Sequence, residues 1–245
     1  MRQAQSWMSA LQAKLSELTE VDGSARLTVG NTIVLVSVAG PLEAKPRQEL
    51  PTQASLEIVV RPSRGLSSTR EKVLEDLLRS VLQSVIIRHQ YPRQLIQIIV
   101  QFLTTDLDRE GAIVISGDTA ASGGAFTSNE LSAALNACYF ALIDANVALY
   151  NSFAAVSVAI DQDGKCIETP SLKQLQNSSS HHVICFDIRD QKSHKILLVE
   201  SNGTFSEEEL IQVIELAATA TQKIHTSCQR PLVEDKVKSD FIWSS

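Results

Sequence analysis

Residues 22–62 read DGSARLTVGNTIVLVSVAGPLEAKPRQELPTQASLEIVVRP, and their order of turns, strands and charged loop decides the fold. Asp22-Gly23 and Gly30-Asn31 are turn pairs, because glycine accepts backbone angles closed to other residues and Asp or Asn side chains satisfy turn amides. Residues 24–27, 32–38 and 54–61 read as strands around them. The run 32–38 is rich in β-branched residues, the pattern of a strand buried on both faces.

Upstream, residues 1–20 place Trp7, Leu11, Leu15 and Leu18 at helical spacing and read as an amphipathic N-terminal helix rather than a secretory leader. Downstream, Ser68 with Glu71 three residues later is a capping box, and Val73, Leu77, Val81 and Val85 give the helix that follows a continuous apolar face. Tyr91-Pro92 breaks that pattern, and residues 95–103, 154–160, 183–187 and 195–199 supply further strands. Thr127 with Glu130 and Ser206 with Glu209 repeat the capping signature, for helices over 131–145 and 210–230. Strands in runs of two or three, separated by single long helices, predict an α+β layered fold. We read residues 21–230 as one domain, 104–124 as an inserted polar loop, and 231–245 as a tail. Phe241-Ile242-Trp243 in that tail would dock on the core or on a neighbour.

Composition removes several function classes. No apolar run approaches the roughly 20 residues that span a bilayer, so a soluble intracellular chain is expected. The net charge of −6 argues against a broadly basic nucleic-acid surface. One local cluster, Lys45, Arg47, Arg61, Arg64, Arg70 and Lys72, is expected to converge at one rim. Cys138, Cys166, Cys185 and Cys228 have neither zinc nor disulfide spacing. Asn177-Ser178-Ser179 and Asn202-Gly203-Thr204 match the glycosylation pattern, which an intracellular chain would not use. His181 and His182 would point to opposite faces of a strand, and Asp161-Gln162-Asp163-Gly164 reads as a turn. No Ser-His-Asp arrangement, P-loop or G-x-G-x-x-G is present, and neither metal nor cofactor is expected.

Four segments carry a resemblance: DGSA at 22–25, GPLEAKPRQELPTQ at 40–53, REKVLEDLLRSVL at 70–82 with YPRQ at 91–94, and SNGTFSEEEL at 201–210. Over residues 21–230 the chain resembles the RNase PH-like proteins, specifically the ring subunits of the eukaryotic exosome. The resemblance implies an RNase PH-like fold of the ribosomal protein S5 domain 2-like kind, with two βαβα-type halves and helices packed between sheets. It further implies a ring built with other RNase PH-like subunits and topped by S1/KH cap proteins. RNA would thread through the ring channel to a separate hydrolytic nuclease, for ribosomal-RNA processing and RNA turnover. The expected locations are the nucleus, including the nucleolus, and the cytoplasm, with no membrane partner.

Active relatives let inorganic phosphate attack the last phosphodiester of RNA. That reaction needs a helix-terminal phosphate cradle with a cation, a carboxylate pair for metal or protons, and arginines on the RNA backbone. The run matching the cradle is Gly123-Gly124-Ala125-Phe126-Thr127-Ser128, with Phe126 where the resemblance implies arginine. The run matching the carboxylates is 168–175, ETPSLKQL, where Thr169 stands at an acid position and Lys173 and Gln174 follow. Glu168 alone remains, and one carboxylate seldom holds Mg²⁺. Arg79 matches an RNA-facing arginine, with Glu75 one turn earlier as an i, i+4 surface partner.

These substitutions predict a catalytically inert ring subunit whose RNA contacts are limited to Arg61, Arg64, Arg70 and Arg79. Strand edges around 95–103 or 195–201 would pair with a neighbouring subunit. The alternative is an active 3′-to-5′ exoribonuclease working as a homodimer outside the complex, with Asp106, Asp108 and Asp118 as replacement carboxylates. A third reading is an interaction protein on a borrowed fold.

Overall fold

The computed structural model describes residues 11–106 and 128–239. The first sheet holds β1 (Leu11–Leu15), β2 (Gly23–Val29), β3 (Thr32–Glu43), β4 (Ser55–Arg61) and β5 (Gln94–Thr104), in the order β1-β2-β3-β5-β4. Gly30, at φ +58°, and Asn31 close the β2–β3 hairpin with Val29 opposite Thr32, as the turn pair predicts. Gly23 has a different reason to be glycine: it opens β2, and a Cβ there would lie 2.2 Å from the Ala145 backbone nitrogen. β4 and β5 are parallel, joined by a crossover through α1 (Thr69–Val85).

The second sheet is antiparallel, in the order β7-β6-β8-β9, from β6 (Ser152–Asp161), β7 (Cys166–Glu168), β8 (Ser178–Arg189) and β9 (Lys192–Gly203). Between the sheets runs α2 (Ser128–Asp144), in which every side chain but that of Ile143 is buried. Its alanine-rich surface lets Leu131, Leu135, Phe140 and Leu142 share one core with Val34, Val36, Ile98, Phe153 and Cys185 from both sheets. A helix apolar all round is one buried all round. After the short α3 (Leu172–Asn177), α4 (Glu207–Ile224) covers the far face of the second sheet, setting Val213, Ala217 and Ala220 on Val158, Ile184 and Phe186. A π-helical turn, His225–Gln229, then leads to α5 (Arg230–Ser239). This is the α+β, RNase PH-like arrangement expected, with α2 packed between two sheets.

Several local expectations need correction. Leu11–Leu15 is a strand paired with β2, not part of a helix; Leu11 and Leu15 suit either period, and pairing with Val29 and Ala25 decides it. Residues 32–39 alternate buried and half-buried, so β3 has one deeply buried face rather than two. The buried stripe of α1 is Leu74, Leu78, Val81, Leu82 and Val85; Val73 is exposed. β5 is hydrogen-bonded on both sides, by β3 and β4, and offers no edge to a neighbour. β9 is an edge, but register shifts opposite Cys185–Phe186 and Asp187–Ile188 interrupt it, a device that discourages strand addition. Of the residues read as a tail, 231–239 belong to α5; Phe241, Ile242 and Trp243 lie outside the described residues.

Candidate functional site

A cleft of about 260 Å³ opens where the β4–α1 loop, the end of β5 and the first turn of α2 meet. Its polar lining includes Arg64, Ser68, Arg70, Glu71, Thr105 and Glu130, against Leu74 and Phe102. The capping box forms as predicted: the Glu71 carboxylate accepts from the Ser68 N–H at 2.6 Å and the Ser68 hydroxyl at 2.7 Å. Burial pushes the Glu71 carboxyl up, but these bonds and the Arg70 charge outweigh it and hold the acid below its ordinary range. Arg70 Nη2 donates to Glu130 Oε2, an ion pair on which the Glu130 side chain is 1% exposed. Arg70 Nε is buried and has no hydrogen-bond partner.

Of the four arginines expected to touch RNA, the fold brings Arg64 and Arg70 together in this cleft. Arg61 ends β4 next to the lining residue Pro62. Arg79 lies nine residues beyond Arg70 on α1, about 13 Å along the helix. It pairs with Asp76 at 3.1 Å, not with Glu75. Glu75 is buried, accepting from the Val60 N–H at 3.0 Å and Lys72 Nζ at 2.7 Å, and so ties α1 to β4. The wider basic rim does not form. Lys45 and Arg47 belong to the loop that meets the start of β5, where the Arg93 N–H bonds Leu50, whereas the cleft is at the other end of β4, about 20 Å away.

Gly123, Gly124, Phe126 and Thr127 lie outside the described residues, as do Asp108 and Asp118. Ser128, the first described residue of α2, is buried with an unpartnered hydroxyl. Glu168 ends β7, paired with Val158. Thr169 adopts φ +49° and its N–H donates to the Ser157 carbonyl at 2.9 Å. Gln174 serves the turn that begins α3, accepting from the Ser171 N–H at 2.8 Å and hydroxyl at 3.0 Å. Asp161 and Asp163 form the predicted turn, closed by the Gly164 N–H on the Asp161 carbonyl at 2.9 Å. Among the described residues no group of three acids, histidines or cysteines could hold a metal.

Sequence reading missed the polar strip of α2. Asn129 donates to Asp106 Oδ2 at 2.8 Å and to the Pro170 carbonyl at 2.7 Å, and accepts from the Ser157 hydroxyl at 2.7 Å. One turn-pair on, Asn136 donates to the Ala155 carbonyl at 2.8 Å and accepts from its N–H at 3.0 Å. Asn129, Ser132 and Asn136 share one side of an otherwise apolar helix, a signal available in the sequence. The Asp106 carboxylate is therefore committed to the packing of α2. His182 is paired with Val158, next to Ser157, and is buried between the Ser180 and Ser201 hydroxyls at 3.0 and 2.8 Å with its ring edge-on to Phe205.

Residues 9–148 match the 3′ exoribonuclease family, domain 1, and residues 151–220 match its domain 2. The Saccharomyces cerevisiae exosome complex component RRP46 is 41% identical over 236 residues, covering 95% of this chain and 99% of the relative. The Oryza sativa exosome complex exonuclease RRP46 homolog is 28% identical over 220 residues, covering 84% of each chain. The crystal structure of rice Rrp46 superposes with a TM-score of 0.71 at 25% identity, covering 94% of this chain and 92% of that one.

Proposed function

Because the chain belongs to the 3′ exoribonuclease, or RNase PH, family, we propose that it is a structural ring subunit of an exosome. The observation that carries this reading is end-to-end similarity to a yeast exosome complex component, with 41% identity across 95% of the chain. In that role it pairs with other RNase PH-like subunits, under S1/KH cap proteins, and RNA passes through the ring to a separate hydrolytic nuclease. Its work is RNA processing and turnover, ribosomal RNA included, in nucleus, nucleolus and cytoplasm. Contact with the passing strand comes from Arg61 and Arg64 at the cleft mouth and from Arg79 further along α1, whereas Arg70, expected to join them, is held by Glu130.

The chain itself does not cut RNA in this reading. Three observations support that. Gln174 is used as a helix cap where the resemblance implies an acid, Thr169 is held by its backbone to Ser157, and Arg70 is paired with an internal carboxylate. The second reading, an exoribonuclease in its own right, is favoured by the rice relative, which is named an exosome complex exonuclease. A labelled single-stranded RNA separates the two. The purified chain, with phosphate and Mg²⁺ or with Mg²⁺ alone, should leave it intact, and 3′-end shortening that a Glu168→Ala variant abolishes would establish the second.

A further inference from the structure

The guanidinium of Arg70 carries its Nε–H and one Nη2–H on the same edge, the edge that takes an oxyanion by two parallel hydrogen bonds. In the cleft that edge is half used: Nη2 donates to Glu130 Oε2, while Nε is buried and unpartnered. Nη1, on the opposite edge, faces Glu71 Oε1 at 3.9 Å. A buried donor without a partner is costly, so a guanidinium gripped by one atom of a carboxylate is held in a compromise rather than in its best geometry. Among the described lining residues the charges also balance, Arg64 and Arg70 against Glu71 and Glu130, so these residues supply no net positive field to draw in an anion. Phosphate oxygens in turn meet the Glu130 carboxylate, 1% exposed, at the place where they would dock.

We propose that Glu130 is an internal substitute for a phosphate group: it occupies the Nε/Nη2 edge of Arg70 and closes the cleft to phosphate oxyanions. This rests on the reading of the chain as a non-catalytic ring subunit, and gives that reading a mechanism. An arginine able to bind an anion is present in the cleft, but its partner is supplied from the first turn of α2, sixty residues away in the chain. The cleft volume of about 260 Å³ accommodates an oxyanion once the carboxylate charge is gone.

The test is Glu130→Gln in the full chain, titrated calorimetrically with inorganic phosphate and, separately in phosphate-free buffer, with a short oligoribonucleotide. Wild type should show no saturable phosphate binding. The variant should bind at least tenfold more tightly, through free phosphate or the RNA backbone according to which titration responds, and Arg70→Met in addition should remove the gain. A folded Glu130→Gln chain with neither titration improved, or a gain that survives Arg70→Met, overturns the proposal. If Glu130→Gln does not fold, Glu130→Ala, which likewise removes the carboxylate charge, is read by the same criteria. RNA cleavage by the wild-type chain would sink the functional reading while leaving the phosphate titration to decide this one.

Discussion

Lys236 Nζ on α5 donates to Asp144 Oδ1 at 2.8 Å, joining the last described helix to the C-terminus of the central one. Asp144 also accepts from the Ser24 N–H at 2.9 Å and from the Ser16 N–H and hydroxyl at 3.2 and 2.8 Å. A carboxylate at a helix C-terminus faces the wrong end of the macrodipole, and these donors are what make it tolerable. Since α5 has no buried residue of its own, Lys236→Met should loosen it, costing about 1–2 kcal/mol by urea unfolding and speeding proteolysis after residue 229.

The same carboxylate sets an acid limit. Burial raises the Asp144 carboxyl, but Lys236, Ser24 and Ser16 outweigh it, and the net shift is downward. A folded-state value below the unfolded one means stability that is complete above the unfolded range near 4 and lost as pH falls through the folded value. Melting temperature measured from pH 5 to pH 2.5 should therefore fall more steeply for wild type than for Asp144→Asn.

His182 adds a second, milder dependence. Burial and the neighbouring His181 depress it below the ordinary imidazole range, against the pull of Glu209. The unfolded chain then binds a proton that the folded chain resists, so this stability is present above about pH 6.5 and fades below it. His182→Gln should flatten the decline in melting temperature between pH 7 and pH 5, and an unchanged slope would remove His182 as its source.

Glu75→Ala should be more harmful than a surface substitution. It leaves the Val60 N–H on β4 without its 3.0 Å acceptor in a place from which water is excluded. About 2 kcal/mol of lost stability is expected, with Glu75→Gln recovering part of it, both read by urea unfolding. Arg79→Ala, which breaks only the exposed contact with Asp76, should change stability by less than about 0.5 kcal/mol.

What the sequence made legible were local signals. Ser68 with Glu71 and Ser206 with Glu209 cap their helices as read, and Gly30-Asn31 closes its hairpin, because each feature is settled within four residues. Partners chosen across the fold were not legible. β1 became a strand by pairing with β2, and Glu75 reached Val60 rather than Arg79. Arg70 found Glu130, and Gly23 answers to the approach of Ala145. The site was read in the same uneven way: the resemblance pointed to Thr169 and Gln174, and the polar side of α2 is present in its sequence, but the contact of Asn129 with Ser157 exists only because α2 lies against β6.

The central claim, a ring subunit rather than a free nuclease, is tested most directly by gentle affinity purification of the tagged chain from its native cells, with quantitative mass spectrometry of what accompanies it. The account predicts other RNase PH-like subunits, S1/KH cap proteins and a hydrolytic nuclease in near-equal amounts. Recovery of this chain alone, or paired only with itself, would contradict it.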